Sequence, residues 1–191
     1  MQHAVQNIPE TLIYEMVDGK PIYYKGYKDY LNGTSEIEEL TGSSYLQSLI
    51  ISKLVFYLMS HLDKNYVVLT NEIGLQFKEK GWRAADIAIF EAAKLKGVQK
   101  TNKYLKVAPK IVIEIDTKAE LEDVKDSLGY FHKKTDELLE FGVEKVIWIF
   151  TDSEKIMISE KNKDWQIFSW SKTMPIFNDL NVNIENLIEE E

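Results

Sequence analysis

The chain has 191 residues, of which 45% are hydrophobic and 28% are charged. This composition is typical of a folded protein and excludes a disordered chain, and the length suits a single domain over residues 1–191. The absence of cysteine excludes disulfides, zinc–thiolate sites and cysteine nucleophiles. The formal net charge of −8 argues against loose, non-specific attraction to nucleic acid.

Two features bear on the location of the protein. The first ten residues lack the apolar stretch of a secretory signal. The longest apolar segment, 46–62, is interrupted by Lys53 and by three serines, which argues against a membrane span. We therefore expect a cytoplasmic protein without a membrane segment.

The charge is distributed unevenly along the chain. Residues 78–110 contain nine lysines and arginines against three acidic residues. This basic segment predicts contacts with a phosphate backbone, and the alternative is a solvated loop whose lysines maintain solubility. Arg83 is the only arginine, and lysines lack its forked donors. We therefore expect any nucleic-acid binding to follow the backbone with little sequence specificity.

The N-terminal third predicts a hairpin and then a long helix. Asp18 and Gly19 form a turn pair between strand-like runs at 11–16 and 21–24. Apolar residues recur at helical spacing over 45–62, and serines that suit the N-cap precede them.

The rest of the chain alternates between strands and one further helix. Apolar, β-branched runs predict the strands, and Gly142 suits the C-cap of the second helix. The predicted elements are strands at 66–69, 73–77, 85–90, 107–115 and 145–150, a helix over 120–141, and a meander at 155–159 and 165–169. Residues 180–191 suit a short acidic helix or a frayed tail. The pattern predicts an α/β or α+β fold with a mixed sheet, one helix on each side, and a crossover unit from 111 to 150.

Two acidic residues stand within the apolar strands. Asp86 opens the run Asp-Ile-Ala-Ile-Phe, and Glu114 lies near the end of Ile-Val-Ile-Glu-Ile-Asp. A buried carboxylate is costly unless it is paired or bound to a metal. Two carboxylates from neighbouring strands would form a hard, oxygen-lined site that suits Mg²⁺ or Mn²⁺. The alternative is that both residues lie at strand ends in water or pair with lysines.

The second helix offers a third polar group, Lys134. The helical wheel directs one side of this helix to the sheet and Lys133 into solvent. Lys134 lies on the flank, where its stem can follow the apolar surface and bring the ammonium to the strand ends. The alternative is an ordinary surface lysine. The residues expected to face the sheet are Val124, Leu128, Phe131, Thr135 and Leu138.

Taken together and in chain order, these motifs resemble the Uma-two-type restriction endonuclease family of the PD-(D/E)XK nuclease superfamily. Asp86 with its apolar tail, the strand ending in Glu114, and Lys134 eight residues before Gly-Val-Glu-Lys-Val-Ile-Trp-Ile carry the resemblance. The hairpin segment Tyr-Glu-Met-Val-Asp-Gly and the pair Ser44 and Gln47 extend it over most of the chain. The resemblance implies a restriction-endonuclease-like mixed sheet flanked by two main helices, with an N-terminal hairpin.

The sequence departs from the family pattern at three places. Ala85 replaces a proline before Asp86, a position that serves strand entry. The lysine of the superfamily normally stands two residues after the glutamate, where this chain has Asp116. Lys134 therefore carries the assignment, with Lys118 as the second choice. Many relatives have a histidine near the start of the first helix, where this chain has Ser44 and Gln47.

The resemblance implies metal-dependent hydrolysis of phosphodiester bonds in DNA. Asp86, Glu114 and the carbonyl of Ile115 would hold Mg²⁺ or Mn²⁺, and Lys134 would orient the attacking water or stabilise developing charge. Glu38 and Glu72 are weaker candidates for a supporting acid, with a solvated surface as the alternative. This interpretation requires the tips of Asp86, Glu114 and Lys134 to share one pocket that is open to water.

Two other interpretations remain open at this point. The acidic composition and the missing lysine after Glu114 favour a non-catalytic module that binds nucleic acid or protein on a nuclease-like scaffold. A group of tyrosines near the hairpin suits a packed face, a protein-docking surface or a homodimer contact. The group comprises Tyr23, Tyr24, Tyr27 and Tyr30.

Overall fold

The computed structural model describes residues 8–122, 127–177 and 179–189. Ten strands and five α-helices are found in these ranges, with short 3₁₀ segments at Glu10–Leu12 and Ala92–Leu95. The strands are β1 (Ile13–Val17), β2 (Lys20–Tyr23), β3 (Tyr66–Lys78), β4 (Gly81–Glu91), β5 (Ile111–Ile115), β6 (Lys145–Phe150), β7 (Lys155–Glu160), β8 (Gln166–Ser169), β9 (Met174–Phe177) and β10 (Leu180–Val182). The helices are α1 (Tyr27–Leu31), α2 (Ile37–Thr41), α3 (Tyr45–His61), α4 (Ser127–Phe141) and α5 (Ile184–Glu189).

One mixed sheet contains eight of the strands. Seven lie in the order β2-β1-β4-β5-β6-β7-β8, and β3 pairs with β4. Only β5 and β6 pair in parallel, with Ile113 opposite Ile147, and the other pairs are antiparallel. The parallel pair confirms the predicted crossover from β5 through α4 to β6. The mixed α+β fold is as the sequence predicts.

The two faces of the sheet carry separate apolar cores. Ile87 and Ile89 of β4 and the three isoleucines of β5 pack with α3 and α5. Even-numbered residues, such as Ala88 and Val112, pack with α4. Because successive side chains of a strand alternate between faces, two buried faces require strands that are apolar throughout. One long helix therefore covers each side of the sheet, as predicted.

The sheet forks at the middle of β4. Along one edge, β4 pairs with β3 over its whole length. Along the other edge it pairs first with β1, where Met16 is opposite Trp82, and further on with β5, where Ile87 is opposite Ile113. Residues 83–86 therefore face the gap between β1 and β5. In the gap, side chains replace the partners that a continuous ladder would supply, since Glu15 accepts from the Ala84 N–H and Asp86 accepts from the Ile115 N–H.

Several predicted boundaries are wrong. The strands predicted at 66–69 and 73–77 form the single strand β3, whose register shifts at a bulge between Thr70 and Ile73. β5 begins at Ile111 rather than at residue 107. Residues 120–122 lie outside the helix, and the described part of α4 begins at Ser127. Helices α1 and α2 and strand β9 were not predicted from the sequence.

The predicted sheet-facing side of α4 needs one correction. Thr135 and Leu138 are buried, and Phe131 is partly buried, whereas Leu128 is 59% exposed. Leu128 lies in the first turn of the described helix, beyond the covered part of the sheet. Val124 falls outside the described residues.

The tyrosines near the hairpin contribute to a small third core. Tyr27 packs with Leu12 and Leu40, and the rings of Tyr23 and Tyr27 stack with centroids 4.7 Å apart. This arrangement agrees with the packed face among the three interpretations of these residues.

No helix within the described ranges is long and apolar enough to cross a membrane. The cytoplasmic location and the single-domain organisation over residues 1–191 stay predictions.

Candidate active site at the fork of the sheet

Asp86 and Glu114 lie on neighbouring strands beside the fork. Ile87 is opposite Ile113 in the antiparallel pair of β4 and β5, so Asp86 and Glu114 each adjoin this last paired position. Asp86 also accepts a hydrogen bond from the backbone N–H of Ile115, the residue after Glu114. The negative charge of Asp86 also raises the pKa of Glu114, which agrees with a short separation.

Asp86 is held firmly at one carboxylate oxygen. Oδ2 accepts a hydrogen bond from the backbone N–H of Ile115 at 2.8 Å, and the Asp86 carbonyl accepts one from the Thr70 hydroxyl at 2.8 Å. The residue is 8% exposed and lines an open cleft. Within the described part of the chain, Oδ1 has no hydrogen-bond partner. Burial is the largest cause that raises the pKa of Asp86 to about 6, and the hydrogen bond from Ile115 opposes it.

Glu114 and Lys134 form an ion pair beneath the cleft. Lys134 Nζ lies 3.1 Å from Glu114 Oε1, and the two residues are 0% and 1% exposed. These are charge contacts rather than directional hydrogen bonds, because neither atom has a hydrogen-bond partner among the described residues. Burial raises the pKa of Glu114 well above its usual value, and the positive charge of Lys134 offsets this only in part.

Glu15 is the central residue of a buried network of charged side chains that lies under the fork. Its carboxylate lies 2.8 Å from Lys134 Nζ and accepts hydrogen bonds from Arg83 Nη1 at 2.7 Å and the Tyr130 hydroxyl at 2.9 Å. The backbone N–H of Ala84 also donates to Glu15, at 3.2 Å. This side chain thus takes the place of a ladder hydrogen bond where β1 leaves β4.

Opposite charges decide the ionisation of this network. Burial alone would raise the pKa of Glu15, but the charges of Lys134 and Arg83 outweigh burial and lower it. Burial alone would lower the pKa of Lys134, but Glu114 and Glu15 outweigh burial and raise it well above its usual value. Arg83 also pairs with Glu137, at 2.7 Å from Nη2. The network therefore keeps Glu15, Arg83 and Lys134 charged although they are buried.

Sequence reasoning missed Glu15, although a signal was present. Glu15 stands inside the apolar strand Ile-Tyr-Glu-Met-Val, which is the same feature that singled out Asp86 and Glu114. The sequence interpretation assigned β1 only to an N-terminal hairpin, and it gave no reason to expect that Glu15 is buried.

A polar cleft of about 370 Å³ opens above Asp86. The ion pair of Glu72 and Lys118 lies in the cleft, and Lys118 Nζ also donates to the Thr41 carbonyl at 2.9 Å. Hydroxyl groups from α3 and its neighbours supply most of the remaining wall. The lining residues are Thr41, Ser43, Ser48, Ile51, Ser52, Thr70, Asn71, Glu72, Asp86 and Lys118.

The backbone after β5 is fastened on both sides. The carbonyl of Ile115 accepts a hydrogen bond from Gln47 Nε2 at 2.8 Å, which occupies one of its two lone pairs. Ser44 caps α3 by accepting from the Gln47 N–H at 3.2 Å. Asp116 turns to β6, where its carboxylate accepts from the N–H and the hydroxyl of Thr151 at 2.8 and 2.7 Å. Asp116 therefore has a structural partner where the superfamily has its lysine.

The predicted site residues meet, but not in one open pocket. Asp86 faces the cleft, while Glu114 and Lys134 are buried beneath it. The expectation that all three tips are open to water is wrong for these two, because Lys134 is enclosed by Glu15, Glu114 and the ring of Trp148, 5.4 Å from Nζ. Glu38 is exposed on α2 and does not line the cleft. The catalytic and metal-binding roles stay predictions.

The basic segment is only partly available to a ligand. Arg83 is buried in the network, and Lys110 pairs with Glu144 at 2.7 Å. Lys78 pairs with Asp18, and Lys94 with Glu91. Within this segment, all of which the structure describes, five lysines are exposed and have no ion pair, and we call them the basic surface. They are Lys80, Lys96, Lys100, Lys103 and Lys106.

The residues at the fork could bind a hard divalent cation only if water and substrate phosphate supplied the remaining ligands. Among the described residues, no three His, Cys, Asp or Glu side chains are grouped to hold a metal. Mg²⁺ commonly uses one or two carboxylates and completes its shell with water and substrate phosphate. The free Oδ1 of Asp86, the second lone pair of the Ile115 carbonyl, and Glu114 fit that pattern. Glu114 would have to share its charge with Lys134.

The comparisons with known proteins bear on the fold. Neither the protein-family models nor the curated proteins contain a match to this chain. Among solved structures, the chain is similar to a protein from Anabaena variabilis described as a "putative nuclease belonging to DUF820". The TM-score is 0.67 at 17% identity, over 91% of this chain and 88% of that chain. The likeness shows that the two proteins share a fold, while the Uma-two-type family and its superfamily stay predictions.

Proposed function

We propose that this chain is a nuclease that depends on Mg²⁺ or Mn²⁺ and hydrolyses phosphodiester bonds in DNA. The observation that carries the proposal is the position of Asp86, which lines an open polar cleft and is hydrogen-bonded to the residue that follows Glu114. The fold shared with a protein described as a "putative nuclease" supports it.

Three groups of this chain would hold the cation. Asp86 would bind through Oδ1, because Oδ2 is committed to Ile115. The Ile115 carbonyl and Glu114 would supply the remaining protein ligands. When bound, the cation would neutralise phosphate charge and acidify a water for in-line attack.

The other residues of the site would position these ligands. Gln47 holds the Ile115 carbonyl, and Thr70 holds the backbone of Asp86. Lys134 is proposed as the catalytic lysine, and from its buried position it would act through Glu114 by holding the carboxylate in place and favouring its charged form. The basic surface would contact the DNA backbone, and lysines there favour binding with little sequence specificity.

Nicking of supercoiled plasmid tests the proposal. We expect wild-type protein to nick in Mg²⁺ or Mn²⁺ and not in chelator, and Asp86→Asn and Glu114→Gln to lower the rate by about two orders of magnitude. Glu160→Gln is the matched control, because it removes one acidic charge on β7, away from the fork. Circular dichroism should show that all variants are folded. Equal nicking by wild type, Asp86→Asn and Glu114→Gln would contradict the proposal.

One observation favours a second candidate, a non-catalytic nucleic-acid- or protein-binding module. Lys134 and Glu114 are almost fully buried, as expected of residues that stabilise a scaffold. Such a module would bind DNA with or without the metal and would not nick it. A thermal shift in Mg²⁺ that is absent in Asp86→Asn would favour the nuclease instead, because a ligand that binds only the folded state stabilises it.

We also propose that the active form is a homodimer, since cleavage of both strands is most simply achieved by two sites. Light scattering during turnover, together with the appearance of linear plasmid, tests this. A monomer that yields linear plasmid as fast as nicked plasmid would contradict it.

A further inference from the structure

Lys118 is the lysine that lines the cleft next to Asp86. Its Nζ pairs with Glu72 and donates to the Thr41 carbonyl, and its side chain is 13% exposed. Both Glu72 and Lys118 act electrostatically on Asp86: Glu72 raises the pKa of that carboxyl, and Lys118 lowers it. The three charged groups therefore share one cleft.

Glu72 enters the cleft through an unusual backbone conformation. Asn71 and Glu72 have φ angles of +72° and +53°, in the left-handed region that non-glycine residues seldom adopt. The two residues form the bulge that shifts the register of β3 against β4. Bulges redirect side chains from the regular alternation of a strand. The bulge here directs the Glu72 carboxylate to Lys118.

Lys134 and Lys118 differ in how easily a phosphate can reach them. Lys134 lies between two carboxylates and is 0% exposed, so a phosphate could contact it only after the network is rearranged. Lys118 is partly exposed, and a phosphate needs only to replace Glu72 as its partner. The hydroxyls of Ser43, Ser48 and Ser52 line the same cleft and can donate to phosphate oxygens.

We propose that Lys118 binds a backbone phosphate of the nucleic-acid substrate, and that Glu72 is a competing counter-ion which the phosphate displaces. The inference rests on the proposed function, because it assigns the cleft to the same substrate. The phosphodiester takes the place of the carboxylate as the partner of Lys118, so Lys118 stays paired in both states. Glu72 then lowers the affinity for substrate while it keeps Lys118 in place in the free protein.

Binding without turnover tests the exchange. We would measure fluorescence anisotropy of a labelled short DNA duplex in chelator, at low and at physiological salt. Lys118→Gln should weaken binding by about tenfold and lower the salt slope by about one. Glu72→Gln should strengthen binding by about three- to tenfold, because the competitor is removed. The opposite signs are the signature of displacement.

An ion pair at the end of β7 supplies the matched controls. Glu160 and Lys163 lie 2.6 Å apart at the surface, and Glu160→Gln and Lys163→Gln make the same charge changes away from the cleft. Both controls should alter affinity by less than about twofold, because exposed charges are screened. Lys118→Arg should retain most of the binding. Inorganic phosphate, added as a competitor, should displace duplex from wild type more effectively than from Lys118→Gln.

Two results would overturn the inference. If Glu72→Gln weakens binding, or leaves it unchanged, the pair only fastens the cleft and Glu72 does not compete. If Lys118→Gln and Lys163→Gln reduce affinity equally, Lys118 contributes only general charge. Should Lys118→Gln fail to fold, Glu72→Gln and Lys118→Arg still decide the outcome.

Failure of the nuclease proposal is distinguishable from failure of this inference. Absence of metal-dependent nicking by wild-type protein would contradict the nuclease, while the opposite affinity shifts would still support phosphate binding at Lys118. If wild-type protein nicks DNA normally but Lys118→Gln and Glu72→Gln change the affinity in the same direction, the exchange is contradicted and the nuclease proposal is not.

Discussion

The network under the fork and the cleft above it use the same residue types for different purposes. In the network, Glu15 contacts Arg83, Lys134, Tyr130 and the Ala84 N–H, and all these groups are buried. In the cleft, among the described residues, Lys118 has one acidic partner and Asp86 Oδ1 has no hydrogen-bond partner. Saturated and buried charges stabilise one arrangement, whereas sparsely paired charges next to water can exchange partners. The boundary between the two regions passes between Asp86 and Glu114.

The largest expected effect is on stability, from breaking the network. Glu15→Gln keeps the size of the side chain but leaves Arg83 and Lys134 short of a buried countercharge. We expect a loss of about 3–5 kcal/mol in the free energy of unfolding, measured by urea denaturation. Glu72→Gln in the cleft makes the same chemical change and should cost less than about 1 kcal/mol. Equal losses would show that the two regions do not differ in the way proposed.

The next effect is a pH dependence that originates at Asp86. Because its pKa is raised to about 6 in the folded protein, the folded state retains a proton that the unfolded state releases near pH 4. The contribution of Asp86 is therefore fully present below the unfolded pKa and is lost as the pH rises through 6. Asp86→Asn should depend less on pH in this window than wild type does, although Glu114 still contributes, and should exceed wild type above pH 6 by about 2–3 kcal/mol. Urea titrations at several pH values measure this, and parallel curves would contradict it.

The smallest effect is expected on the stability of the cleft lysine. Lys118→Gln removes a partly exposed ion pair with Glu72 and one hydrogen bond to the Thr41 carbonyl. We expect a loss of about 1 kcal/mol or less in the free energy of unfolding, although DNA binding falls about tenfold. A large loss of stability would place Lys118 with the buried network instead.

The sequence predicted most elements whose signals are local. The Asp-Gly turn, the serine before α3 and the apolar runs of β4 and β6 are read from a few neighbouring residues. The bulge in β3 was missed because Asn71 and Glu72 look like an ordinary break between strands. Their φ angles follow from pairing with β4, which no local pattern reports.

The candidate site was predictable in part. Asp86 and Glu114 were identified because an acid in an apolar strand is conspicuous on its own. The partners of those acids were not predictable, since Glu15 and Arg83 are 68 residues apart in the chain and meet only at the fork. The helical wheel correctly placed the Lys134 side chain towards the strand ends. Its burial, however, depends on Tyr14 of β1 and Trp148 of β6.

The sequence by itself determined which strands are buried, where the long helices lie, and that acids occur where apolar residues belong. These properties depend on side-chain hydrophobicity and on spacing along the chain, which the sequence contains in full. Only the tertiary structure decided that Glu114 and Lys134 are enclosed while Asp86, Glu72 and Lys118 share an open cleft. The physical reason is that burial and ion pairing depend on which distant segments pack together, and here β1 and β5 diverge along one edge of β4.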